Sequence, residues 1–171
     1  RDTFAIIQDS EDTLDPEVRQ LFERQANVFA SEVLFQGASF QSDASDLSFS
    51  IDTPIKLADR YGSSIYSSIR RFVQTHEKAC ALLVLNKPQH IIGKGLETTL
   101  RRHIESSKFR QLFGNVDWMG TFGADHPLNH QLPSQCCQVS LGPFELTNLQ
   151  NEEEVLLGEA FNNSYQIFIF L

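Results

Sequence analysis

One stretch constrains this chain more than any other: Asp15 to Phe35, DPEVRQLFERQANVFASEVLF. Asp15 is suited to N-cap a helix, Pro16 fits the first helical position, and Glu17 sits favourably at the positive end of the dipole. Val18, Leu21, Phe22, Ala26, Phe29, Ala30, Val33 and Leu34 recur at helical spacing and make one apolar face. The pattern predicts a continuous helix from about Pro16 to Phe35, with Leu21, Phe22, Ala26, Phe29 and Val33 buried. At 100° per residue, Glu23 falls on the flank of that face, and Asn27 lies one turn further along the same edge.

Taken alone, Glu23 has a plain explanation, because Arg19 stands four residues before it and the two form a solvated helix pair. The surrounding residues add a second one. Glu23-Arg24-Gln25-Ala26-Asn27-Val28-Phe29-Ala30, followed by Glu32-Val33-Leu34, resembles the E-x-x-A-N-x-F-A-x-x-L-L segment of the ImmA/IrrE family of zinc metallo-endopeptidases. Leu57-Ala58-Asp59-Arg60-Tyr61-Gly62-Ser63-Ser64, leading into Ile69-Arg70-Arg71-Phe72, resembles that family's L-A-x-x-[YF]-x-V-S segment. The resemblance covers about Asp15 to Leu85. It implies that Glu23 is the third zinc ligand of the intact protein and that Asn27 supports the site from behind. A catalytic zinc takes three protein ligands and keeps one position for water. In the family the other two ligands and the general base come from a His-Glu-x-x-His on a preceding helix. That motif occurs nowhere in this sequence, and no histidine precedes Glu23. The only methionine is Met119. The expectation is therefore a fragment that by itself binds no zinc and is inactive.

The 171 residues suffice for a buried core. With 41% hydrophobic and 21% charged residues, the composition is neither disordered nor membranous. The longest apolar runs, Ala79 to Leu85 and Tyr165 to Leu171, are strand-sized, so no membrane association is expected. A net charge of −8 argues against general coating of nucleic acid but leaves room for a local basic face. Cys80, Cys136 and Cys137 are odd in number and two are adjacent, which points to a reducing cytoplasm rather than a disulfide framework.

In chain order, residues 1–14 read as a connector whose end frays. Gln36 to Ser50 reads as an irregular loop. Asp52-Thr53-Pro54 starts a short helix, Ile55 to Arg60, which Gly62 ends. Ser63 or Ser64 caps the next helix, Ile65 to about Thr75. Two helices joined by Gly-Ser-Ser resemble a helix-turn-helix, which makes Arg70 and Arg71 candidate nucleic-acid or partner contacts. Many such pairs are only packing units. Beyond them, Ala79 to Leu85 reads as a buried strand, His90 to Gly93 as its hairpin return, Leu96 to Phe113 as a helix, and Asn115 to Leu132 as a loop. Gln138 to Leu146 and Ser164 to Leu171 read as strands flanking an acidic helix over Glu152 to Ala160.

Four further constellations carry less. His76-Glu77-Lys78-Ala79-Cys80 puts His and Cys at metal-ligand spacing only if the backbone stays helical, and Cys80 opens a strand-like run. His126-Pro127-Leu128-Asn129-His130 contains a proline and reads as a surface loop. Cys136-Cys137 has no basic neighbour to activate a thiol, and Glu152 to Glu154 reads as solvated charge.

The expected fold class is α+β. A helical half, 1–78, is the remnant of a zincin-like domain with a helix-turn-helix-like pair, and a small mixed domain, 79–171, follows it. Some ImmA/IrrE-like proteins carry a C-terminal sensor-like domain resembling the GAF fold, and residues 79–171 stand in that position. The function implied by the resemblance is bacterial and cytoplasmic: cleavage or inactivation of a helix-turn-helix repressor, relieving repression of stress or mobile-element genes. The alternative from another class is a non-enzymatic regulatory binding module, helix-turn-helix plus sensor.

Overall fold

The computed structural model describes residues 15–93, 95–118, 120–123, 131–133 and 136–171, and their architecture mixes helices with an antiparallel sheet. Helix α1 (Pro16–Leu34) forms where its local signals place it. The Asp15 carboxylate accepts the Glu17 amide at 2.8 Å, and Pro16 opens the first turn. At the far end Gln36 and Gly37 adopt positive φ, and the Gly37 amide donates to the Glu32 carbonyl at 2.9 Å. The connector at 1–14 lies outside the described residues.

The expected burial of α1 is overturned. The helix has no buried residue, and Leu21, Phe22, Phe29 and Val33 are 53%, 56%, 71% and 61% exposed. Capping and propensity act within the helix, whereas burial needs a second surface laid against the apolar stripe. Phe29→Ala, which a buried phenylalanine would make costly, is therefore expected to change the stability of this chain by no more than about 0.5 kcal/mol. Urea titration of the two proteins side by side checks this.

The chain forms two compact units, one ending at Ser39 and containing α1, the other running from Phe40 to Leu171. Helix α2 (Ser39–Ser45), which starts at the boundary, interrupts what the sequence suggests is a loop. Phe40 and Ala44, four residues apart, are its buried side, and Phe40 meets Tyr61 edge-on at 5.3 Å. Helices α3 (Asp52–Tyr61) and α4 (Ile65–Thr75) match expectation closely. Gly62 turns between them in the left-handed conformation that glycine takes without strain, and the Ser64 hydroxyl accepts the Ser67 amide at 3.1 Å.

The strands are β1 (Ala81–Asn86), β2 (Gln89–Ile91), β3 (Gly95–Glu105), β4 (Thr121–Phe122), β5 (Gln138–Thr147), β6 (Glu153–Asn162) and β7 (Gln166–Phe170), with α5 (Ser107–Phe113) after β3. Their order is β2-β3-β1-β7-β6-β5, with β4 also on β3, and every pairing is antiparallel. Strand β1 is central and buried throughout its apolar run.

Of two segments expected as helices, one is helical only in its last part and the other is a strand. Leu96 to Phe113 divides into β3 and the short α5, because β3 pairs along β1 (Leu82 opposite Ile104, Leu85 opposite Leu100) and Ser106 then caps a new helix. The segment from Glu152 to Ala160 lies almost wholly in β6, held between β5 and β7. Along its first half Glu153, Val155 and Leu157 are exposed while Glu154 and Leu156 between them are half-buried, and Gly158 and Ala160 continue that inner side, an alternation that a helical count of the same residues hides. The return strand β2 pairs with β3, not β1.

Each face of the sheet has its own core. On one, Phe170 meets Phe49 at 5.1 Å and Phe72 of α4 at 5.8 Å. On the other, Leu83, Leu85, Ile167, Ile169 and Leu171 pack with Phe109, Phe113, Trp118 and Phe122. The buried Ser106 hydroxyl ties the two ends of this layer together. It accepts the Cys80 and Phe109 amides at 3.1 Å each and donates to the Lys78 carbonyl at 2.9 Å. Glu105, also buried, accepts the Trp118 indole N–H at 2.8 Å and faces Arg110 at 3.3 Å.

Candidate functional site

Glu23 lies on the exposed surface of α1. Its Oε1 accepts from the Arg19 guanidinium at 3.3 Å, and both side chains are more than half exposed. Pro16, Glu17, Arg19, Gln20 and Glu23 line one open depression along the first half of the helix. Asn27 is exposed one turn further on. Both expected site residues thus share the edge of the bare apolar face, where the helical period puts them. An exposed pair of this kind contributes at most about 1 kcal/mol, so Arg19 does not lock Glu23 in place.

Among the described residues no group of three or more His, Cys, Asp or Glu side chains is arranged to hold a metal. Glu23 has the right chemistry for one zinc ligand, an oxygen donor on a helix edge, but one carboxylate does not make a zinc site. The described residues therefore do not by themselves fit the metal.

The His76–Cys80 spacing does not become a metal pair. Helix α4 ends at Thr75 and His76 is extended (ψ 140°), so the helical register that would align the two is lost. His76 instead packs against Phe49 at 4.6 Å and Phe72 at 4.9 Å, and its Nδ1 accepts the Lys78 amide at 3.0 Å. Burial, with the Lys78 charge second, lowers its pKa below the ordinary imidazole value; Glu77 opposes weakly. Burial pushes the Cys80 thiol up to about 11, against a hydrogen bond with Ser106 that lowers it, so it is an inert core group. The pair His126 and His130 falls outside the described residues. Cys136 and Cys137 are exposed, with Cys136 Sγ 3.1 Å from the Ser164 hydroxyl.

The sign of the His76 effect is set by its neutral form being favoured in the fold. Below the ordinary imidazole pKa of about 6.5 the unfolded chain takes up a proton that the folded chain resists. Stability contributed here is present above that pH and is lost as pH falls through it toward the lowered folded value. Urea unfolding at neutral and mildly acidic pH should show a larger acid loss for the native chain than for His76→Asn. The reverse order would mean that imidazolium contacts with the Phe49 and Phe72 rings dominate.

Arg70 is exposed on α4, with its Nε 3.3 Å from Gln74 Oε1, and Arg71 beside it is half-buried. The structure adds a residue that the linear pattern could not associate with them. Arg102 of β3 lies against Tyr66 of α4, with Nη1 3.3 Å from the phenol oxygen and the guanidinium 5.9 Å from the ring centre. Its only sequence signal is the Arg101-Arg102-His103 run, 31 residues beyond Arg71, within a segment expected as helix.

No helix among the described residues is long and apolar enough to cross a membrane. No protein-family model matches the chain, and no curated protein sequence matches it.

Proposed function

We propose that this chain is part of a zinc-dependent metallo-endopeptidase of the ImmA/IrrE kind, with Glu23 as one metal ligand and Asn27 supporting it. One observation carries the proposal: α1 presents a broad bare apolar face with a carboxylate and an amide along one edge. A peptidase site built from two helices requires such a surface, one half of which covers the apolar stripe while the carboxylate reaches across. The agreement of the two quoted segments with the family's pattern supports the same conclusion. When bound, the zinc of such a site activates water for attack on a peptide carbonyl. The residues of this chain contribute a ligand and the surface on which the site is assembled. The His-Glu-x-x-His element is a separate requirement that the 171 residues do not meet. The implied substrate is a helix-turn-helix repressor in the bacterial cytoplasm, and the residues after about 79 form a sensor-like part.

The gene around this sequence provides the test. A His-Glu-x-x-His encoded within a few tens of residues before Arg1 is the expected result. Its absence from the full reading frame would end the peptidase proposal and leave the regulatory binding module.

A further inference from the structure

The chain is acidic, with 22 Asp and Glu against 14 Lys and Arg, yet its charge is not evenly mixed. Helix α4 has no acidic residue, and neither has β3 between Glu97 and Glu105. These two elements pack against each other and carry Arg70, Arg71, Arg101, Arg102 and His103. Arg70, Arg101 and Arg102 are exposed. Tyr66 lies one helical turn before Arg70 and holds Arg102 by a hydrogen bond and its ring face, so one tyrosine links the helix that carries Arg70 to the strand that carries Arg102. The first turn of α4 adds its uncompensated dipole to the same sign.

We propose that this α4–β3 surface binds duplex DNA through its phosphates, with Arg70, Arg101 and Arg102 as the cationic groups and Tyr66 fixing Arg102. Guanidinium groups are the side chains best matched to phosphate oxygens, and their spread over two elements suits a repeating anion. The second helix of a helix-turn-helix-like pair is where duplex DNA is met. A local positive surface on a chain of net charge −8 also limits non-specific coating, because the rest of the molecule repels the polyanion. This surface is independent of Glu23, so failure of either proposal leaves the other standing.

The test is fluorescence anisotropy of a labelled DNA duplex with the full 171-residue chain at low and moderate salt. Binding is expected in the range of about 10⁻⁴–10⁻⁶ M, weakening as salt rises. Arg70→Ala with Arg102→Ala should reduce the salt slope by about 1 for each phosphate no longer neutralised and weaken low-salt binding roughly tenfold or more. Lys87→Ala with Lys108→Ala removes the same charge from elsewhere on the surface and should leave binding near that of the native chain. Unchanged Trp118 fluorescence certifies that both variants are folded; should the alanine pair fail to fold, Arg70→Gln with Arg102→Gln replaces it. Three results overturn the proposal: no salt-dependent binding, equal binding by the native and arginine variants, or equal weakening in the lysine control. Displacement by polyglutamate as effective as by unlabelled duplex would also overturn it, in favour of an acidic protein partner.

Discussion

Glu23→Ala, in a protein joining this chain to a His-Glu-x-x-His helix, is expected to lose zinc and proteolysis together while keeping its fold. The carboxylate is exposed and, among the described residues, pairs with Arg19 at 3.3 Å, so its removal is expected to disturb no packing. Its expected contribution is instead one of three bonds to the metal. Losing a group that merely supports a ligand costs roughly 10–100-fold in metal affinity, and losing the ligand should cost more. Asn27→Ala is expected within that smaller range. In the 171-residue chain the same Glu23 change should make no difference to zinc content, because a lone carboxylate does not hold the ion against water. Metal analysis and cleavage of a repressor substrate, at equal protein concentration, measure both effects. Equal zinc and equal proteolysis in the longer protein and its Glu23→Ala variant would remove Glu23 from the site.

Phe72→Ala is expected to destabilise the second unit by about 3–5 kcal/mol, the range for emptying a buried aromatic site. Phe72 is 1% exposed and lies at the centre of the layer that joins α4 to the sheet. Phe170 stands 5.8 Å from its ring centre, Phe49 6.3 Å and His76 4.9 Å. Phe170 and His76 cannot collapse into the space freely, since Phe170 is held in β7 between β1 and β6 and His76 by its bond to the Lys78 amide. Trp118 sits in the opposite core, 8% exposed, and reports the unfolding of the sheet by fluorescence. A urea midpoint close to that of the native chain would mean that α4 contributes little to holding the sheet. The contrast with Phe29→Ala is informative: the same substitution is expected to be nearly neutral on α1, where the ring is 71% exposed.

Local signals were legible in the linear sequence wherever they act within a few residues. Asp15, Pro16, Gly62 and Ser64 mark the ends of helices α1, α3 and α4, because a cap or a left-handed turn depends on backbone groups one to four positions away. The positions of Glu23 and Asn27 on one edge of α1 follow from the helical period by the same local logic. Strand pairing has no such local origin. The segment after Ser106 is helical and the one before it is not, because β1 offers hydrogen-bond partners to residues 100–105. Glu153 to Asn162 extends because β5 and β7 flank it, overriding an acidic composition that suits a helix start. Burial is decided in the same way. An apolar stripe states that a face can be covered; whether it is covered depends on what the rest of the fold brings to it. For α4 the sheet does so through Phe170, while the stripe of α1 remains exposed. The meeting of Tyr66 with Arg102 is likewise tertiary, because the two stand 36 positions apart in the chain. Sequence alone determined the caps, the helical edges and the charge each element carries; only the non-local pairing of strands, by supplying partners to backbone and side chains, decided which of those faces meet.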